Sequence, residues 1–332
     1  MFPFIVIRIL KIRTFLFACL VMAAFAPRLC AKDAAAAFQY VQLSVPAPSL
    51  GENKLGEAAE QTLYVYLPPS YAQSERHYPV LYFFAGYYMD EDIPYLRYTL
   101  PEVMAEQEYI IVSVKDNNSL HGTFGANSVV TGNWRDFYVN DVIPYVDSQY
   151  RTIADRKGRA VGGTSMGGHI ALRLAFEHPE LFSTLYALSP GAFDEHGLEN
   201  AWSLWDQTFL NAYGAAYSPN PDKPFPHADI PTMDGSTEDL AIRAKWNKGF
   251  GEIPQMLDAY LSGESRLDNI CVEVGSEDEY PWILQGSAYL SNQMTARGIA
   301  HTFVLTNNGH NFYPEIFRVG MGRYVAHHFG RK

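Results

Sequence analysis

Beyond residue 38 the hydrophobic positions fall into short runs of two kinds. Residues 38–45, 61–67 (QTLYVYL), 80–84 (VLYFF), 109–114 (YIIVSV), 160–161 with their flanks, 184–188 (TLYAL), 269–274 (NICVEV) and 301–305 (HTFVL) are brief and rich in β-branched or aromatic residues, and they sit between turn formers. That pattern predicts strands. Residues 101–108, 135–150, 166–178, 282–297 and 313–328 space their apolar side chains for helices instead. Strand and helix alternate, which predicts an α/β fold with a mainly parallel central sheet and helices on both faces, because parallel neighbours need crossover connections. The first two strands have no helix between them and suit an antiparallel edge.

Two stretches depart from the alternation. After the sixth strand, residues 191–266 hold no convincing strand. Residues 198–213 and 238–261 read as helices there, on either side of the proline-rich 218–231 (SPNPDKPFPHADIP). An insertion of this size predicts a cap over a functional face. At the other end, Arg8, Lys11 and Arg13 precede the apolar run 15–26 (FLFACLVMAAFA) and then Leu29, Cys30 and Ala31. This order predicts a signal peptide over 1–31, cleaved rather than kept as an anchor, followed by one catalytic domain over 32–332. Export to the periplasm or the medium is the corresponding expectation, with no stable membrane insertion after cleavage. Cys19 and Cys30 would leave with the leader, so that Cys271 remains alone and no intramolecular disulfide can form. Pro27, Arg28 and Leu29 ahead of Cys30 lack the small residues that lipidation would require.

Composition narrows the partners. The chain has 332 residues, 48% hydrophobic and 18% charged, and its 25 Lys+Arg against 36 Asp+Glu leave a formal net charge of −11. Such a surface argues against nucleic acid or an anionic membrane as the main partner. The chain contains no phosphate-binding G-x-x-x-x-G-K-[ST] loop, no H-E-x-x-H and no cysteine cluster, so neither nucleotide-driven nor zinc chemistry is nominated. We expect no metal.

The strongest local signal is Gly163-Thr164-Ser165-Met166-Gly167, a G-x-S-x-G pentapeptide. It follows the short apolar strand around Val161 and opens into a helical pattern, the strand–turn–helix setting of a nucleophile elbow. The turn is sharp enough to leave no space for a Cβ two residues before or after the serine. A serine at its free pKa needs a base. In the chain order serine, acid, histidine, the base must hang from a turn after the last strand, and His310 in NNGHNF occupies that place. His301 starts that strand, His327 and His328 belong to the last helix, and His196 and His227 belong to the insertion. His169, on the elbow helix, is expected to pack. The acid that orients the histidine should follow the preceding strand. Asp278 is the choice there, with Glu277 and Glu279 beside it as fallbacks. Backbone N–H groups of Met166 and, after the third strand, Tyr87 are the expected oxyanion donors, with Gly86 allowing close approach.

Together the run 78–86 (YPVLYFFAG), the segment 127–137 (NSVVTGNWRDF), the elbow and Gly309-His310-Asn311-Phe312 resemble the esterase D-like esterases of the α/β-hydrolase superfamily. That group includes S-formylglutathione hydrolases, feruloyl and acetyl esterases and mycolyltransferases. The resemblance covers residues 60–190 and 268–328. It implies an α/β-hydrolase fold with a serine triad and no cofactor. Where the family often has histidine before the oxyanion glycine, this chain has Ala85, and its 191–266 insertion is long.

The expectation is therefore an exported serine carboxylester hydrolase acting through an acyl-enzyme. Export argues against S-formylglutathione, an intracellular substrate. Tyr87, Tyr88, Trp134, Trp202, Trp205 and Trp282 suggest an aryl, acetyl or sugar-linked ester, free or attached to polysaccharide, with Tyr88 and Trp134 as candidate substrate contacts. An acyltransferase of the same fold and a non-catalytic binding protein on the same scaffold are the alternatives. Nothing in the chain sets its oligomeric state.

Overall fold

Strand β3 (Val80–Phe84) is buried at every position, and its side chains divide by parity between two cores. Val80, Tyr82 and Phe84 enter one, and Leu81 and Phe83 the other, as the two-residue period of a strand requires. The computed structural model describes residues 39–92, 100, 106–310 and 316–330, all within a single unit, Phe38–Lys332. The expected leader at 1–31 lies outside the described residues.

The remaining strands are β1 (Gln39–Pro46), β2 (Glu60–Leu67), β4 (Ile110–Val114), a small hairpin of β5 (Asn127–Ser128) and β6 (Gly132–Asn133), β7 (Arg159–Thr164), β8 (Thr184–Leu188), β9 (Asn269–Gly275) and β10 (Thr302–Thr306). Eight of them form one sheet in the order β1-β2-β4-β3-β7-β8-β9-β10. Every neighbouring pair from β4 to β10 is parallel, while β2 runs antiparallel to both β1 and β4. The expected antiparallel edge is therefore present, and the fold is that of an α/β-hydrolase.

Helices cover both faces. Helix α1 (Met166–Glu177) buries Ile170, Leu174 and Ala175 in the first core. Helix α2 (Met321–Gly330) places Met321 and Val325 in the second. The region expected as one helix over 135–150 is helical as far as Gln149, with a π-helical stretch at Phe137–Val142, and Tyr150 turns extended. The expected helix over 313–328 is two pieces, Ile316–Val319 and α2, separated at Gly320, with residues 311–315 outside the described set. Residues 101–105 of the expected 101–108 helix are also outside it, and 106–108 are not helical.

Residues 191–266 form four helices, α3 (Gly197–Trp202), α4 (Gln207–Tyr217), α5 (Thr237–Asn247) and α6 (Ile253–Ser262), where two longer ones were expected. Asp206 starts α4 as its N-cap, accepting the Phe209 N–H at 2.8 Å. At the second break the chain turns at 248–252, a turn that requires glycine, since a Cβ on Gly249 would lie 2.1 Å from the Tyr213 hydroxyl and one on Gly251 2.6 Å from the Asn247 carbonyl oxygen. Phe250 between them enters an aromatic cluster with Tyr213, Phe193 and Trp282.

Candidate active site

The parallel sheet brings four loops to one edge. Ser165 follows β7 directly, Asp278 and His310 follow β9 and β10, and Ala85–Tyr88 follows β3. The carboxyl ends of parallel strands in open α/β sheets are where such crevices form.

Ser165 has φ 54° and ψ −117°, a left-handed backbone that costs an L-residue about 1–3 kcal/mol. The surroundings hold it there. Its N–H donates to the Leu188 carbonyl (2.9 Å), and its own carbonyl accepts from His169 (3.0 Å) and Gly191 (3.2 Å). Three such bonds at about 1 kcal/mol each offset the strain. The flanking glycines are required by contact. A Cβ on Gly163 would stand 2.3 Å from the Gly167 carbonyl oxygen, and one on Gly167 would meet the carbonyl oxygens of Ala85 and Phe84 at 2.1 and 2.2 Å.

The hydroxyl Oγ of Ser165 and Nε2 of His310 are 3.0 Å apart. On the far side of the ring, Nδ1 meets Asp278 Oδ2 at 2.9 Å. The other Asp278 oxygen accepts the Tyr280 N–H at 2.9 Å, so a carboxylate with a fully buried side chain is satisfied at both ends. With Asp278 accepting, Nδ1 carries the proton and Nε2 is left to accept from the serine. Among the three acids after β9, Asp278 alone reaches the ring. Glu277 is exposed, and Glu279 binds the backbone N–H of His310 at 2.6 Å, a bond that holds its carboxyl below the usual range. Tyr280 packs edge-on against the imidazole at 4.9 Å.

Opposite the serine, the turn after β3 presents its backbone. The N–H groups of Tyr88 and Met89 are taken by the His121 and Gly86 carbonyls, at 3.1 and 3.0 Å. The Tyr87 N–H has no partner among the described residues. Met166 is the first residue of α1, where N–H groups lack an intrahelical acceptor. The Tyr87 hydroxyl donates to the Leu120 carbonyl (3.0 Å), and Gly122 is packed so tightly that a Cβ would lie 2.6 Å from both Met166 Sδ and Tyr87 Cδ2.

A cavity of about 520 Å³ opens beside Ser165 and His310. Tyr87, Tyr88, Trp205 and Trp282 line it, joined by Phe209, Phe250 and Asp206, which sequence reasoning did not single out. Their partners in the cavity come from distant parts of the chain, so no local pattern marks them. Trp134 does not line it, contrary to expectation. Its side chain is fully buried against Phe137 and Tyr138, and its indole N–H donates to the Thr131 carbonyl at 2.7 Å. Trp202 packs against Trp246.

His169 packs, as expected. Its ring is bonded to the Gly191 carbonyl and the Tyr217 hydroxyl, both at 3.0 Å, and burial together with Arg173 holds its pKa well below the usual value. His301 turns away to Ser291 and the Ile299 carbonyl. Among the described residues no cluster of His, Cys, Asp and Glu could hold a metal ion. Cys271 is buried, which pushes its thiol up to about 12 and makes it a poor nucleophile.

The family model "Esterase", described as "Putative esterase", matches residues 58–313, a span that contains the elbow, the Asp278 loop and His310. The chain belongs to this esterase family. Esterase Rv1288 of Mycobacterium tuberculosis is 26% identical over 279 residues, covering 79% of this chain. The chain spans about half the length of that relative, 55%. Among solved structures, a ferulic acid esterase superposes with a TM-score of 0.61 at 20% identity, covering 88% of this chain and 99% of its own. An S-formylglutathione hydrolase from Staphylococcus aureus gives 0.61 at 15% identity with the same coverage. These two likenesses show the α/β-hydrolase fold of this chain.

Proposed function

We propose that this esterase-family chain is a serine carboxylester hydrolase working through an acyl-enzyme, on an aryl, acetyl or sugar-linked ester. The observation that carries the reading is the unbroken line Ser165 Oγ, His310 Nε2, His310 Nδ1, Asp278 Oδ2, with contacts of 3.0 and 2.9 Å. As Oγ attacks the ester carbonyl carbon, its proton passes to Nε2. Asp278 fixes the tautomer and stabilises the imidazolium that forms. The carbonyl oxygen becomes an oxyanion held by the Met166 and Tyr87 N–H groups, and the positive end of α1 favours that charge. Collapse of the intermediate expels the alcohol, which takes the proton from Nε2. A water then repeats the sequence on the acyl-serine and releases the acid.

Helices α3 to α6 act as the cap in this reading, since Leu204, Trp205, Asp206, Phe209 and Phe250 from that region wall the cavity. Aromatic walls favour flat or ring-bearing groups. Cleavage after a leader at 1–31 would place the protein in the periplasm or the medium. No described helix is long and apolar enough to cross a membrane.

The test is hydrolysis of p-nitrophenyl acetate, p-nitrophenyl butyrate and methyl ferulate by the protein and by Ser165→Ala, each with and without an acceptor alcohol. Turnover lost in the variant supports the mechanism. Ester formed with the acceptor in preference to free acid would replace hydrolysis by acyl transfer, and no turnover by folded protein would refute the reading.

A further inference from the structure

The cavity beside Ser165 has a charge character that ester hydrolysis by itself does not require. Among the described residues that line it, Asp206 is the sole carboxylate, and none is Lys or Arg. The surrounding walls are aromatic. The Trp205 and Phe209 rings lie 4.6 Å apart, and Phe250 stacks on Trp282 at 5.7 Å and 16°. Ring faces carry negative potential, so this wall attracts a cation and gains nothing from an anion.

Asp206 is fixed in place as well as charged. Its Oδ1 accepts the Phe209 N–H at 2.8 Å and its carbonyl accepts the Leu210 N–H, which anchor it at the start of α4. Oδ2 has no partner among the described residues. The N-terminus of α4 contributes about half a positive charge, which the full negative charge of Asp206 outweighs. Among the described lining residues the balance of charge is therefore net negative.

We propose that Asp206 and the aromatic wall of Trp205, Phe209, Phe250 and Trp282 form a charge-selecting subsite, which favours esters bearing a positive charge over neutral ones and rejects those bearing a carboxylate. The proposal rests on the reading of Ser165 as the esterolytic nucleophile and adds the substrate's charge class to it. Asp206 is a specificity residue here and takes no part in the bond-making steps.

Three thioesters of similar size test it: acetylthiocholine, its uncharged carbon analogue S-(3,3-dimethylbutyl) thioacetate, and S-acetyl-3-mercaptopropanoate. Released thiol is followed for the wild type and Asp206→Asn, a variant that keeps the helix cap because Asn serves as well as Asp there. The wild type should rank them cationic, neutral, anionic, with about tenfold in kcat/KM between neighbours. In the variant both ratios should fall toward one. Because Asp206 is exposed, added salt should also compress the wild-type ratios. A merely structural role for Asp206 would lower all three substrates together and leave the ratios intact, which would overturn the proposal, as would an unranked wild type.

If the folded wild type turns over none of the three while it still cleaves p-nitrophenyl acetate, the nucleophile reading stands and binding decides the charge selection by itself; if it cleaves neither, the nucleophile reading fails and binding again decides. Intrinsic tryptophan fluorescence, to which Trp205 and Trp282 in the cavity wall contribute, is titrated with choline, 3,3-dimethylbutanol and 3-hydroxypropanoate. Choline binding tightest, with its advantage lost in Asp206→Asn, supports the subsite. Equal affinities overturn it.

Discussion

Asp278 and His310, thirty-two residues apart in the chain, meet at 2.9 Å through a carboxylate with no exposed side-chain surface. Its neighbours in the same acidic run do other things. Glu279 clamps the His310 backbone, and Glu277 faces solvent. Substitution should separate the three. Asp278→Asn, which offers an amide to Nδ1 and so favours the wrong tautomer, is expected to lower kcat by a thousandfold or more, on the order of the known effect of such a change in serine triads. Glu279→Gln should cost less than about tenfold, and Glu277→Gln nothing measurable. Steady-state kinetics on one activated ester checks the ranking.

Gly122 packs against the side chains of both residues expected to supply oxyanion N–H groups, where a Cβ would be 2.6 Å from Met166 Sδ and from the Tyr87 ring. Gly122→Ala must push the Met166 thioether and the Tyr87 ring aside, and the ring, held at its hydroxyl by the Leu120 carbonyl, is expected to shift the Tyr87 backbone with it. Loss of one oxyanion donor costs about a hundredfold or more in kcat, and a partial shift should cost about tenfold with KM little altered. Comparison of kcat with KM, at unchanged circular dichroism, reads this out.

Gly167 is a packing requirement rather than a chemical one. The two carbonyl oxygens within 2.2 Å of a Cβ are backbone atoms, Phe84 at the end of β3 and Ala85 just after it, and cannot rotate away as a side chain would. Gly167→Ala should destabilise the protein by about 3 kcal/mol or more or prevent folding, whereas Gly235→Ala, in open space but at φ 76°, should cost only about 1–2 kcal/mol. Denaturant titration distinguishes the two.

Asp116 is fully buried at the end of β4, and neither of its carboxyl oxygens has a well-formed hydrogen bond. Burial, and secondarily the charge of Glu91, raises its pKa well above 3.8. The folded state therefore keeps a proton that the unfolded state releases above that value. With more protons bound when folded, stability must fall as pH rises from about 4 toward the folded pKa, by up to about 1.4 kcal/mol per pH unit. Asp116→Asn removes that dependence. The expected result is a variant whose melting temperature gains on the wild type as pH is raised from 4 to 8, measured by thermal melts across that range. A constant difference would count against a neutral buried acid.

Much of this architecture can be read from local pattern, because the elements that build it are local. VLYFF at 80–84 and the glycines around Ser165 each report a backbone requirement within a few residues, and the sheet and elbow follow from them. Asp278 and His310 were legible because each follows a strand in the order the fold imposes. The cavity wall was not. Phe209, Phe250 and Asp206 meet Ser165 only after α3 to α6 have packed, and the breaks between those helices depend on contacts such as Gly249 against Tyr213. Trp134 shows the converse. An aromatic residue near a family-like segment reads as a substrate contact, yet its indole is enclosed by its own neighbours Phe137 and Tyr138.

In this mechanism Ser165 carries the acyl group. The most direct measurement is intact and peptide mass spectrometry of the protein quenched in acid during turnover of p-nitrophenyl acetate, with Ser165→Ala in parallel. A single added acetyl group is expected on the peptide containing Ser165, absent from the variant and lost on standing as water completes the cycle. Hydrolysis that continues in Ser165→Ala, or an acetyl group found on another residue in the active wild type, would contradict it.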